Sequence, residues 1–338
     1  MRWVVKIKIR RKVNMEKLTK NKWNLKEFVK ENSPMVALVV LFILAVILEG
    51  TTFLNLNNLI NILLNNAIIG IISLGMMLII ITAGIDLSVG SMLAAIGLIT
   101  IYVLNQTNSI LLAFGAAMVS GAVLGALTGV LVAQFAIPAF IVTLGTMRIY
   151  RSLAQYALNG GGSTTMGSAS DSFISIANTS ILGIPVPVWI WILTVLVISL
   201  LTKKTAFGRH VYAVGSNERA TFLAGINVKK ILILVYAVAG VLVAIAAILE
   251  ASRLGSMNSS SSGLNYEMDA IAATVIGGTA MMGGRGSVSG TVFGTLTLGI
   301  INNLMNLMGM PSFLVGTVKG LIIIVAVLMQ KALDRKGD

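Results

Sequence analysis

The most constraining feature of this sequence is a basic polar segment at residues 203–230 with membrane-length apolar runs on both sides. Such runs predict membrane spans, because only helices and closed barrels satisfy the backbone polar groups inside a bilayer. Short loops rich in Lys and Arg stay on the cytoplasmic side. We therefore predict a cytoplasmic loop between two spans. Its six basic residues are Lys203, Lys204, Arg209, Arg219, Lys229 and Lys230.

The composition excludes a soluble globular protein. Of the 338 residues, 56% are hydrophobic and 11% are charged, whereas soluble domains carry about 25% charged residues. The apolar runs are unbroken rather than alternating, which favours helices over the strands of a membrane barrel. The net charge of +13 does not indicate nucleic acid, because 11 of the 25 basic residues lie in residues 1–34 and six in the polar segment. This distribution follows the positive-inside rule, so the predicted partner of these charges is the lipid bilayer.

Missing residue types and motifs narrow the function further. The sequence has no cysteine and a single histidine, His210, which excludes disulfides and Cys or His metal clusters within this chain. It contains no phosphate-binding loop of the form G-x-x-x-x-G-K-[ST] and no Ser-His-Asp constellation. Acidic residues within the apolar runs are too few for a proton relay. We expect no cofactor and no catalytic site, so active transport would require a separate ATPase.

Charge and hydropathy predict an all-α polytopic membrane protein with about ten spans and both termini in the cytoplasm. A basic segment at 1–33 precedes a transmembrane domain at 34–331, and a tail follows at 332–338. The loop at 159–187 lacks Lys and Arg, so we place it outside. The predicted spans are about 34–50, 59–83, 89–104, 110–134, 138–158, 187–202, 231–250 and 268–282, with a ninth ending near 308 and a tenth near 330.

Local signals predict a two-turn helix inside the polar segment, at about 218–224. Ser216 and Asn217 can cap its start, Glu218 suits the first turn, and Gly225 can end it. So short a helix needs a partner to be stable. One interpretation is an ordinary loop whose charges fix topology. The other is a docking element that receives force from a cytoplasmic motor.

Asp86 marks a predicted interruption between the second and third spans. A carboxylate beside an apolar run must be paired, protonated or facing a polar cavity, and Gly84 and Gly90 flank this one. With Ser88 two residues on, Asp86 either caps the helix that follows by accepting its first amide hydrogens or contacts solute. A second Gly-rich interruption at 277–290 falls in the corresponding part of the other half of the chain, and paired interruptions are typical of transporter repeats.

Two groups of asparagines lie within predicted spans, both toward the outer side. One interpretation is hydrogen bonding between helices, the default for amides in lipid. The other is an outward-facing vestibule for a neutral, hydroxyl-rich solute. The groups are Asn61, Asn65 and Asn66 in the second span and Asn302, Asn303 and Asn306 in the ninth.

Glycines and arginines give further expectations. Gly121, Gly125 and Gly129 recur at every fourth position, and so do Gly286, Gly290 and Gly294. Such faces predict close helix packing. Arg151 and Arg253 are expected near the external surface, where they either snorkel or meet the carboxylates of a soluble partner.

Several stretches resemble the membrane permease subunit of sugar-importing ATP-binding-cassette transporters, in particular the bacterial ribose permease type. The resemblance covers about 34–330. Relatives for galactose, xylose, other pentoses, autoinducer sugars and nucleosides look alike, so ribose is only the first candidate. The matching stretches are 84–91 (GIDLSVGS), 208–227 with its GSNE core, 266–273 (YEMDAIAA), 277–290 and 302–309.

The resemblance implies a type II-like importer permease that forms a homodimer in the bacterial cytoplasmic membrane. Two ATP-binding-cassette subunits would bind below it, and an external sugar-binding protein would dock above it. In this family the loop corresponding to 203–230 carries the coupling helix, which makes Asn217, Glu218, Ala220 and Gly225 the expected determinants of coupling. The alternative is a motor-independent carrier or channel for a small polar solute, which would act in liposomes without companions.

Overall fold

The architecture is given by a computed structural model that describes residues 32–334. The predicted basic segment at 1–33 and the tail at 332–338 lie largely outside this range. The helices are α1 (Ser33–Leu54), α2 (Leu56–Ile81), α3 (Val89–Thr107), α4 (Ile110–Phe135), α5 (Ala139–Ala157), α6 (Ser170–Asn178), α7 (Val186–Lys204), α8 (Ala206–Ser216), α9 (Glu218–Leu223), α10 (Val228–Leu254), α11 (Tyr266–Ile276), α12 (Val288–Leu307) and α13 (Ser312–Asp334). The strands are β1 (Gly162–Thr164), β2 (Ser180–Ile181), β3 (Ile184–Pro185) and β4 (Ser256–Asn258).

Seven helices of the described residues are long and apolar enough to cross a membrane: α1, α2, α3, α4, α7, α10 and α12. The predicted all-α membrane class is confirmed, whereas the number of ten spans is not. Helix α5 carries Arg148 and Arg151 and is not among the seven. The span predicted at 268–282 corresponds to α11, whose 11 residues are too few to cross a bilayer as a helix.

Helices α2, α3 and α10 form the centre of the bundle, and α4 packs on α10 from the outside. Nearly every side chain of α2 from residue 66 to 81 is buried. The predicted glycine face of α4 packs on α10: a side chain at Gly121 would meet the carbonyl of Gly240, and one at Gly125 would meet that of Tyr236. Small residues let two backbones approach this closely in lipid, where packing replaces hydrophobic burial as the driving force. The close-packing prediction for α4 is confirmed, and we call this contact the glycine seam.

The connection from α2 to α3 is a long non-helical segment, residues 82–88. Gly84 packs against the Tyr236 hydroxyl, near one end of α10. Gly90 packs against Gly263, in the loop that follows α10. The backbone of Gly263 also hydrogen-bonds to Glu250, near the other end of α10. Because Tyr236 and Glu250 lie about 21 Å apart along α10, the segment connects two different levels of the bundle. Helix α3 therefore begins inside the bundle, well away from the level at which α2 ends.

Helix α11 begins at the same internal level. The Tyr266 hydroxyl hydrogen-bonds to Glu250, and a side chain at Gly90 would meet the Glu267 carboxylate. The N-termini of α3 and α11 thus lie close together, with Asp86 before one and Glu267 in the first turn of the other. Carboxylates at these positions compensate the positive ends of the two helix dipoles.

The second interruption, residues 277–287, joins α11 to α12. The backbones of Gly277 and Gly290 are in direct contact, and Ser287 caps α12 by accepting a hydrogen bond from the Gly290 amide at 3.0 Å. Gly286 precedes α12, so its predicted place on one helical face with Gly290 and Gly294 is wrong. Both α3 and α12 begin with a serine at the N-cap and a nearby glycine packed against another backbone.

Small strands and a short helix cover the end of the bundle opposite the polar segment. β1 pairs antiparallel with β4, β2 pairs with β3, and α6 lies between these elements in sequence. The sequence predicted an irregular external loop at 159–187. The residues after β4, 259–265, turn inward from this cap and lead to the start of α11.

The glycine seam yields a stability prediction. We expect Gly125→Ala to lower the thermal midpoint of the detergent-solubilised protein, because the added carbon would overlap the Tyr236 carbonyl and overpacking costs about 1–3 kcal/mol. The control is Gly115→Ala on the same helix, where a side chain would meet nothing within 4 Å. Equal midpoints for the two variants would contradict the proposed tight contact.

Candidate functional site

The polar segment folds into two helices, each with its own cap. At the start of α8, the Thr205 hydroxyl accepts a hydrogen bond from the Gly208 amide. At the start of α9, the Asn217 side chain accepts one from the Ala220 amide at 2.8 Å. Asn227 caps the following helix, α10, in the same way. The predicted helix near 218–224 is confirmed as α9, with Gly225 at φ +82° just beyond its end. Helix α8 was not predicted.

Helix α9 presents an exposed surface of mixed chemistry. Thr221 is buried against the rest of the chain, whereas Phe222 is 68% and Leu223 76% exposed. Glu218 and Arg219 flank these apolar side chains and help to line a groove of about 770 Å³ that continues to Lys229. An amphipathic helix whose apolar residues face away from its own protein is suited to contact a partner.

Helix α8 contacts both helix interruptions at the same place. Tyr212 donates to the Gly286 carbonyl at 2.8 Å, and burial raises the pKa of its phenol, which keeps the donor protonated. Gly215 packs directly on the Ile81 carbonyl, which also accepts from the Gly284 amide at 2.9 Å. We call this meeting point of α8, the end of α2 and the second interruption the junction.

Five of the six predicted asparagines of α2 and α12, all except Asn61, lie around one pocket of about 370 Å³, here called the amide pocket. Tyr266 and Asp269 of α11 also line it, and sequence reasoning assigned neither a role. Both residues belong to the stretch 266–273, which supported the family resemblance. That resemblance was the one sequence signal that could have pointed to them. The pocket's amide side chains are Asn65, Asn66, Asn302, Asn303 and Asn306.

Some of these amides are bonded within the chain. Asn66 donates to the Ile62 carbonyl, and Asn65 accepts from Arg253 at 2.7 Å. Among the described residues, the buried Oδ1 of Asn302 has no hydrogen-bond partner. An unpaired buried acceptor is costly, which makes Asn302 a candidate for contact with a ligand hydroxyl.

A reciprocal amide pair stands between the amide pocket and a second, more open cavity. Asn58 donates to Asn303 at 3.1 Å, and Asn303 donates to Asn58 at 2.7 Å. Asn303 lines the amide pocket, while Asn58 and Asn61 line the outer cavity of about 560 Å³. Both expectations for the asparagines thus find a structural counterpart, since the pair joins α2 to α12 and also separates two polar cavities.

Asp86 and Ser88 do not line the amide pocket. Asp86 is buried, and its Oδ1 accepts from the Ser88 amide at 2.7 Å and from the Ser88 hydroxyl at 2.6 Å. Ser88 is the N-cap residue of α3. The carboxylate therefore stabilises the turn before α3 rather than accepting the first amide hydrogens of the helix, as the capping interpretation had expected.

Arg151 and Arg253 are engaged within the chain near the covered end of the bundle. Arg151 donates to the carbonyls of Ser259 and Ser262 at 3.0 and 2.7 Å, which holds the inward-turning loop after β4. Arg253 donates to Asn65. Their suggested contact with an external partner stays a prediction. In the range 32–334, no group of three or more His, Cys, Asp and Glu side chains is arranged to hold a metal ion.

Seven membrane-length helices and an internal polar pocket define a multi-pass membrane protein of the transporter class. A family described as the permease component of branched-chain amino acid transport systems matches residues 58–327, and the chain belongs to this family. Among solved structures, none matches the chain.

Curated relatives match over nearly their whole lengths. The ribose import permease protein of Haemophilus influenzae is 40% identical over 95% of this chain and 99% of its own. That of Bacillus subtilis is 40% identical over 90% of this chain and 92% of its own. The L-arabinose transport system permease protein of Escherichia coli is 35% identical over 88% of this chain and 89% of its own.

The role of Asp86 yields a prediction. Asp86→Ala leaves the Ser88 amide and hydroxyl without their acceptor, so we expect a loss of about 1–3 kcal/mol and a lower thermal midpoint in detergent. Asp86→Asn keeps one carbonyl oxygen and should lie between wild type and the alanine variant. A wild-type midpoint for Asp86→Ala would contradict this role.

Proposed function

We propose that this chain is the permease subunit of an ATP-binding-cassette importer that moves ribose across the bacterial cytoplasmic membrane. The observation that carries the proposal is the 40% identity to ribose import permeases over almost the full length of both chains. The amide pocket adds chemical support, because amide and phenol groups match the donors and acceptors of a neutral sugar.

The proposed complex contains two copies of this chain, two ATP-binding-cassette subunits and an external sugar-binding protein. Residues 203–230 lie in the cytoplasm together with both termini, in agreement with the positive-inside rule. The transmembrane domain extends over 34–331 between the basic segment at 1–33 and the tail at 332–338. The sugar-binding protein docks on the opposite end, near β1, β4 and the arginines Arg151 and Arg253. The chain itself has no ATPase role, and its partners hydrolyse ATP.

Coupling begins at α9 in this proposal. The ATPase subunit contacts Phe222 and Leu223, which are exposed, while Asn217 and Gly225 fix the start and end of the helix. Glu218 and Ala220 lie on the exposed side of the same helix. Closure of the ATPase subunits then pushes on α9 and, through α8, on the junction.

Transmission from the junction to the sugar follows the helices that share both sites. Helix α2 ends at the junction with Ile81 and lines the amide pocket with Asn65 and Asn66. Helix α11 begins at the pocket with Tyr266 and ends at Ile276, where the second interruption starts. A displacement of the junction therefore reaches the pocket along two helices without passing through lipid-facing side chains.

The coupling proposal predicts the effect of Phe222→Ser. Because this side chain is 68% exposed, the thermal midpoint of the permease should not change. Co-purification of the ATPase subunit and ATP-dependent uptake should fall about tenfold or more, the effect of losing an aromatic anchor. Leu182→Ser, which changes an 88% exposed residue at the opposite end, is the matched control and should retain the ATPase. Undiminished co-purification with Phe222→Ser would refute the proposed contact.

If the amide pocket binds the sugar, Asn302→Leu should reduce transport without reducing the stability of the protein. Removal of the unpaired acceptor should leave the thermal midpoint unchanged or raise it, while ribose uptake by the complete transporter falls. The control Thr100→Val removes a buried hydroxyl bonded to the Ile96 carbonyl, away from the pocket, and should transport normally. Normal uptake by Asn302→Leu would remove Asn302 from the proposed sugar contacts.

A further inference from the structure

An ion pair stands in the wall of the amide pocket. Both carboxylate oxygens of Asp269 accept from the Lys319 ammonium at 2.9 Å, which connects α11 to α13. The side chains are only 17% and 25% exposed respectively. Asp269 faces the pocket, whereas the other polar groups of the pocket wall are neutral amides and the Tyr266 phenol.

A purely structural ion pair is an inefficient way to hold two helices together. The desolvation of two charges offsets much of their attraction, so an apolar pair of similar size often stabilises as well or better. The position of Asp269 on the wall of the pocket that Asn302 also lines offers a different explanation for the charges.

The pair determines which solutes the pocket tolerates. Lys319 occupies both oxygens of the carboxylate, so the net charge at the wall is zero. An ammonium group on a solute would have to displace Lys319 from Asp269, and a carboxylate would lie beside a negative charge after losing its own water. A neutral polyol meets no such cost, because its hydroxyls can bond to the amides of the pocket and leave the ion pair in place.

We propose that the Asp269–Lys319 ion pair is a charge filter of the amide pocket, with both residues determining specificity for neutral polyhydroxylated solutes over amines and acids. This inference rests on the proposed function of the pocket as the sugar site. It adds selection inside the permease to the selection made by an external binding protein.

Direct binding to the purified full-length permease in detergent tests the filter without an external binding protein. Saturation-transfer NMR detects weak ligands, and the probes are D-ribose, D-glucosamine and D-glucuronate. We expect wild type to bind ribose alone. Lys319→Met should gain glucosamine, and Asp269→Asn should gain glucuronate, each by about tenfold or more, as expected for a charge-assisted hydrogen bond. The double variant, which restores neutrality, should again bind ribose alone.

Two outcomes would overturn the filter. The first is an unchanged preference in both single variants, with the double variant serving as the control for folding. The second is the absence of ribose binding by wild type, since the pocket would then not be the sugar site. ATP-driven ribose uptake by the complete wild-type transporter, measured in parallel, distinguishes these outcomes from a failure of the proposed importer function.

Discussion

The hydrogen bond from the Gly284 amide to the Ile81 carbonyl joins the two places where the helical path of this protein is interrupted. Backbone groups released from a helix within a membrane protein must be bonded by the protein itself, because lipid offers no partners. Here the interruptions bond to each other, and α8 closes the arrangement with Tyr212. Each interruption is therefore stable only while the other one and α8 are in place.

This mutual dependence supports the proposed route from the six-residue helix α9 to the amide pocket. Helix α9 is continuous with α8 through the Asn217 cap, and α8 contacts the junction. Helices α2 and α11 extend from the junction to the amide pocket. Because helices are stiff along their axes, the distance between the junction and the amide pocket changes little. A movement of the junction would therefore also move the pocket wall.

Local chemistry was readable from the sequence, and long-range geometry was not. Helix α9 was predicted to within one residue because Asn217 and Gly225 are strong local signals for its ends. The asparagines of the second and ninth spans were placed on the same side by topology, and all of them except Asn61 lie around one pocket. Helix α11 was predicted too long because apolar residues continue past Gly277, and only contact with Gly290 shows where it ends. The Asp269–Lys319 pair joins residues 50 positions apart, which no local pattern indicates.

The glycine seam and the interface of α2 with α12 are built from different kinds of contact. Helices α4 and α10 touch through carbonyls and Cα atoms at Gly121 and Gly240, so no side chain can rotate to let one helix slide past the other. The interface of α2 with α12 instead contains amides such as Asn58 and Asn303, which can exchange partners without losing hydrogen bonds. In the proposed transport cycle the seam would serve as the stationary frame, and the polar contacts between α2 and α12 would be the ones that change.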